Sequence, residues 1–240
     1  MTELAERTDE QWRSKLLLAL AWSAGFVDAA SYLGLGGVFT ANMTGNTVLL
    51  GLAIARLDLA GSLRSAVALT GFCIGVVSGA LILARDRTRA SWPSAVTMAL
   101  GLEGLVLVGL GLAWSAVGNV PDAKMVGALL LIAGCAMGLQ SAALKRIGIP
   151  TVGSTAITGT VTGVMAGAVG WLHTPFASAQ GAQEASATRK AFALPATVWS
   201  VYALGALAGG FSEGHWHGAA IGGPAVAVGA VALIAKLKSN

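Results

Sequence analysis

Apolar runs long enough to cross a bilayer recur along this chain, and one of them carries a carboxylate and then breaks into polar, glycine-containing sequence. The runs fall at 13–34, 46–57, 63–84, 95–117, 124–145, 155–172, 190–212 and 217–236. About 18 or more apolar residues in a row mark a membrane-helix candidate. Only 11% of the residues are charged and the mean hydropathy is +0.73, whereas a soluble domain carries roughly 25% charged residues. The expectation is an all-α, polytopic protein forming a single membrane domain over 1–240, with no soluble domain.

Two runs do not fit a full crossing. Segment 46–57 reaches only about 18 Å at the helical rise, short of a hydrocarbon core of about 30 Å. Segment 155–172 is longer but opens with Thr155, Thr158, Thr160 and Thr162. Both are expected to be half-length or re-entrant, leaving six transmembrane helices. The net charge of +4 and pI of about 9.4 then follow the positive-inside bias and not nucleic-acid binding. With six crossings and both termini cytoplasmic, only Arg56, Arg64 and Lys124 fall on the far side. Residues 1–12 carry Glu3, Glu6, Asp9 and Glu10, unlike a basic signal-peptide start, so the first run is expected to stay as an anchor. Cys73 and Cys135 lie within apolar runs and are expected to be free thiols. Residues 173–189, rich in Ala, Ser and Gln, are expected to form a surface loop.

The stretch from Gly25 to Thr47 has a weaker echo from Gly138 to Thr160. Gly25, Ala29 and Ala30 align with Gly138, Ala142 and Ala143, and after a one-residue shift Thr44 and Gly45 align with Thr158 and Gly159. In each half a helix ends in a polar break, followed by a Thr-Gly turn, a short segment and two further helices. The predicted repeats are 13–120 and 121–236. Three crossings in each half make the second an inverted copy, the plan of many secondary transporters.

Asp28 is the leading candidate for chemistry, because a charge deep in a membrane helix costs at least about 2.5 kcal/mol and is seldom kept without use. Glu103, in the fourth full-length run, is a candidate proton site or partner. Thr40, Asn42, Thr44 and Asn46 in the first half, with Gln140, Ser141, Thr158 and Thr160 in the second, supply uncharged oxygen and amide groups. Such groups either bind a small polar solute or cation, or cap half-helices and satisfy broken backbone. Gly71-x-x-x-Gly75-x-x-x-Gly79 and Gly159-x-x-x-Gly163-x-x-x-Gly167 present small faces suited to helix packing, with homo-oligomer contact as the alternative. His215 and His217, near Glu213, are too few and too closely spaced for a metal centre. No metal or other cofactor is expected. The chain lacks a nucleophile elbow, a His-Glu-x-x-His pair and a phosphate-cradling loop, so enzymatic chemistry is not expected.

Gly25-Phe-Val-Asp28-Ala, together with Phe39-Thr-Ala-Asn42-Met-Thr44-Gly45-Asn46, resembles the signature of the YoaK family of bacterial multi-pass membrane proteins. Gly138-Leu-Gln140 and Thr158-Gly159 resemble that family's second-half pattern, departing from it at Ser141 and Thr160, where Asn would be expected. The resemblance covers nearly the whole chain. It implies a bacterial inner-membrane protein and supplies no activity. The residues themselves point to a small secondary transporter or permease of a polar or cationic solute. The alternative is a non-transporting scaffold, sensor or lipid-interacting component.

Overall fold

The computed structural model describes residues 2–86, 88, 92–117, 122–147, 157–172 and 179–239; the side chains of 2–10, 157, 158, 160, 171, 179–192 and 239 are not among those described. The described residues form helices α1 (Thr2–Gly34), α2 (Met43–Ala55), α3 (Leu59–Ala84), α4 (Ser94–Val117), α5 (Ala123–Ile147), α6 (Ile157–Leu172), α7 (Ala179–Trp216) and α8 (Gly222–Ser239). A short 3-10 turn, His217–Ile221, joins α7 to α8. The all-α expectation holds.

Among the described residues, five helical stretches are long and apolar enough to cross a membrane. The fifth, Ala193–Lys238, is interrupted by the 3-10 turn, where His217 takes a left-handed φ of 48°. Met43–Ala55 and Val161–Gly170 are apolar but short. Leu105, Leu112, Leu207, Val226 and Leu233 point outward, the arrangement expected when lipid and not water is the solvent. Residues 179–189, expected to be a loop, are instead the first turns of α7. Ala, Gln, Glu, Arg and Lys are strong helix formers, so a polar stretch of them extends the membrane helix that follows.

Glycine sets how the helices meet. A Cβ on Gly25 would collide with the Tyr202 carbonyl, one on Gly205 with that of Trp22, and one on Gly209 with that of Phe26. These contacts advance together along α1 and α7, so the two helices run parallel with backbones nearly touching. On α3 and α5, Gly71 and Gly75 meet the carbonyls of Leu131 and Cys135, while Gly134 and Gly138 meet those of Ala68 and Phe72. This pair is also parallel. Small residues permit such approach where lipid offers no hydrophobic drive. The Gly71/Gly75/Gly79 face is thus filled by α5 within one chain, which is the packing role and not the oligomer contact. Gly159 and Gly163 have nothing near a hypothetical Cβ.

Helix α4 runs antiparallel to α8, with Gly104 beside Gly229 and Gly111 beside Ile221. The ends of the bundle follow. The Trp12 and Trp92 rings meet at a tilt with centroids 5.4 Å apart, placing the first part of the α1 span beside the start of α4. Arg146 donates to the Thr88 carbonyl at 2.7 Å, bringing the end of α5 to the same place. This is the basic end, holding Arg13, Lys15, Arg85, Lys145, Arg146, Lys236 and Lys238. At the opposite end, Gly34 of α1 meets Trp114 of α4 and Glu213 of α7. Cys73 and Cys135 are free thiols.

Candidate functional site

Helix α1 stops at Gly34 because the chain reverses there. Gly36 and Gly37 take φ of +88° and +79°, backbone angles that cost a side-chain-bearing residue about 1–2 kcal/mol. The following segment runs back along α1, and α2 then climbs out again beside α3. Two side chains hold this hairpin closed. Asn46 pairs both ways with the backbone of one residue: its Oδ1 accepts from Phe39 N at 2.9 Å and its Nδ2 donates to Phe39 O at 2.6 Å. Asn42 caps α2, accepting from Gly45 N at 3.1 Å. Gly45 leaves room for the Phe39 ring, which lies about 3.0 Å from where a Cβ would stand.

Asp28 ties the hairpin to α1. Its Oδ1 accepts from the backbone N–H groups of Thr40 at 2.8 Å, Ala41 at 2.6 Å and Asn42 at 3.4 Å. Its Oδ2 accepts from the Tyr202 hydroxyl of α7 at 2.6 Å. The carboxylate is buried, with 2% of its residue surface exposed. It also sits at the N-terminus of α2, where the helix dipole favours negative charge. Asp28 therefore joins α1, the hairpin and α7 at one point.

The remaining candidates divide. Thr40 is buried in the hairpin, and its Oγ1 has no partner among the described residues. Thr44 is exposed on α2. Gln140 reaches α1, donating from Nε2 to the Leu20 carbonyl at 2.7 Å. Ser141 lies next to it with an unpartnered, buried Oγ. The side chains of Thr158 and Thr160 lie outside the described residues, as do Ser154 and Thr155. Glu103 is fully buried in the inward stripe of α4, between Leu100 and Leu107, and neither carboxyl oxygen has a partner among the described residues. Glu213 meets His217 Nδ1 through Oε1 at 3.4 Å, while Oε2 is buried and unpartnered. Among the described residues no group of three metal-ligating side chains occurs.

Sequence reasoning missed Tyr202, Ser23 and Ser31. Tyr202 carried a signal, since a phenol in an apolar membrane helix needs an acceptor. Ser23 and Ser31 lie on α1, both fully buried with unpartnered Oγ atoms. With Thr40, Glu103 and Ser141 they make a set of unused polar atoms inside the bundle. Each such atom carries a desolvation cost of about 1–3 kcal/mol.

Apolar spans, glycine-packed helices and a hairpin pinned on a buried carboxylate define a polytopic α-helical membrane protein. The chain belongs to the YoaK family. Residues 16–234 match the family described as "Protein of unknown function (DUF1275)". It is 40% identical over 158 residues to the "UPF0700 transmembrane protein YoaK" of Bacillus subtilis (strain 168), covering 66% of this chain and 68% of that protein. No solved structure matches the fold.

Proposed function

We propose that the protein is a small secondary transporter or permease for a polar or cationic solute, with six crossings and two half-length segments arranged as an inverted repeat. The observation that carries this reading is the set of buried polar atoms on α1, α4, α5 and the hairpin that have no partner among the described residues. A structural core does not keep such groups without return, whereas a solute path needs them.

The repeat is supported by a correspondence between the two parallel helix pairs. One offset carries Trp22, Gly25 and Phe26 of α1 onto Cys135, Gly138 and Leu139 of α5. Another carries Phe72, Gly75 and Gly79 of α3 onto Tyr202, Gly205 and Gly209 of α7. Every glycine-to-carbonyl contact at these positions maps onto a close approach in the other pair. The first offset is also the one that aligns the sequences, and it carries Asp28 onto Ser141. The six crossings are supported by the grouping of Arg13, Arg85 and Arg146 at one end of the bundle.

In this reading the α2 hairpin is a re-entrant gate and Asp28 is its latch. Thr40, Gln140 and Ser141 are assigned to the path; the side chains of Thr158 and Thr160, expected to join them, lie outside the described residues. Glu103 is the group that takes a proton or a cation, because its oxygens are not engaged among the described residues. No catalytic step is involved. The second reading, a non-transporting membrane component, is favoured by one fact: Asp28, Asn42 and Asn46 are all engaged within the hairpin.

Two measurements decide. With Cys73 and Cys135 replaced, single cysteines at Thr40 and Ser154 should react with impermeant thiol reagents from opposite membrane faces. Reaction from one face only would remove the inverted repeat. In proteoliposomes screened with small cations and polar solutes, a responsive solute should give currents that depend on pH, and Glu103→Gln should abolish that dependence while the protein remains folded. Unchanged pH dependence in Glu103→Gln would sink its assigned role.

A further inference from the structure

At the end of the bundle opposite the basic end, a groove of about 940 Å³ opens between the last turn of α1 and the first turns of α3 and α5. Leu33, Leu59, Leu63, Val67 and Val126 form its walls. Two cations lie along it, Arg64 of α3 and Lys124 of α5. Among the described residues no carboxylate lines it. The Arg64 stem lies over Gly36, with Cδ 2.9 Å from where a Cβ would be, so the left-handed glycine turn makes the seat for this side chain. Its Nε is buried without a partner among the described residues.

The placement of the cations is unusual. The other described Lys and Arg side chains gather at the basic end. The three at this end, Arg56, Arg64 and Lys124, converge on one turn. Arg56 and Arg64 share a smaller hollow of about 160 Å³ with Gly36 and Gly37, and Arg64 also borders the larger groove. Asp58 borders that smaller hollow as well, and both it and Asp122 are engaged as helix caps. Asp58 caps α3 through Gly61 N at 2.9 Å, and Asp122 caps α5 through Met125 N at 2.8 Å. None of the three cations forms an ion pair among the described residues. Helices α3 and α5 run parallel, so their N-terminal dipole ends add to the positive field here.

We propose that this groove holds an anionic phospholipid, with the acyl chains on the leucine and valine wall and the phosphate between Arg64 and Lys124. A soluble anion would use the cations but not the apolar wall. A zwitterionic lipid would use the wall but gain less from two unpaired cations. Leu59 and Leu63 are 72% and 56% exposed at the rim, which gives a lipid lateral entry from the bilayer. This inference is independent of the transport reading.

The test is native mass spectrometry of the detergent-purified full chain titrated with phosphatidylglycerol, phosphatidylcholine or glycerol 3-phosphate. One phosphatidylglycerol should be retained, weakened about fivefold for each cation lost in Arg64→Gln and Lys124→Gln. Arg64→Lys should retain it, since the charge remains. Lys124 is exposed, so Lys124→Gln reports even if Arg64→Gln fails to fold. Equal retention of phosphatidylglycerol by the wild type and the folded variants would overturn the proposal. So would equal retention of phosphatidylcholine, and so would displacement of the lipid by equimolar glycerol 3-phosphate, which would mark a small-anion site.

Discussion

Asp28 takes its donors from two places, a loop twelve to fourteen positions away and a helix 174 positions away. The local partners serve the hairpin, and the distant one couples the hairpin to α7. Under the proposed repeat, Ser141 of α5 and Phe72 of α3 take the places of Asp28 and Tyr202, so neither member of the pair is duplicated. Tyr202→Phe should lower stability by about 1.5–3 kcal/mol, the worth of a hydrogen bond to a charged group. Asp28→Ser should cost more, because it leaves backbone donors in a buried place. The double variant should cost less than the sum by at least about 1 kcal/mol, as measured by unfolding in mixed detergent. Strict additivity would mean that the two side chains do not act on each other. Asp86 gives a second residue-scale expectation. It lies outside the spans and is half-buried; the Thr88 hydroxyl, then the Thr88 and Ala95 amides, hold its carboxyl down to about 2 from an ordinary 3.8. A lowered value means that the ionised form is favoured by folding. That contribution is complete above an ordinary carboxyl value and is lost as pH falls through about 2. Solvent screening keeps it small. A melting temperature followed from pH 5 to pH 2 should fall slightly less in Asp86→Asn than in the wild type; identical profiles would show that the turn gains nothing from the charge.

At the scale of elements, length and composition carried most of what could be read in advance. A dozen apolar residues cannot span a bilayer, and α2 is indeed a short helix folded beside α3. The glycine spacing on α3 matched a packing face because that face needs only a helical period. The start of α7 was not legible, since a polar Ala/Gln/Glu stretch satisfies both a loop and a helix, and the following span decides between them. The site was partly legible. Asp28, Thr40, Asn42 and Asn46 are local to one another, so the polar break gathers them by sequence alone. Glu103 stood out as a carboxylate in an apolar run, although nothing local says that its oxygens lack partners. Tyr202 was hidden because its partner belongs to another helix, and no periodicity within α7 points to α1.

At the scale of the molecule, each parallel pair takes one helix from either half: α1 lies on α7, and α3 lies on α5. During synthesis α1 enters the membrane with its glycine face bare, and its match arrives only after five intervening helices. The Asp28 anchor is one donor short until then. Most of the contacts between helices thus join segments separated by large stretches of chain, which raises the entropic cost of closure and slows assembly. A chain cut between 120 and 121 should therefore yield fragments that are each degraded when expressed alone and that survive together, as followed by their lifetime in the membrane. Long-lived separate fragments would contradict this. The glycine faces that bring the backbones together so tightly thus also make the two halves guarantors of each other's survival.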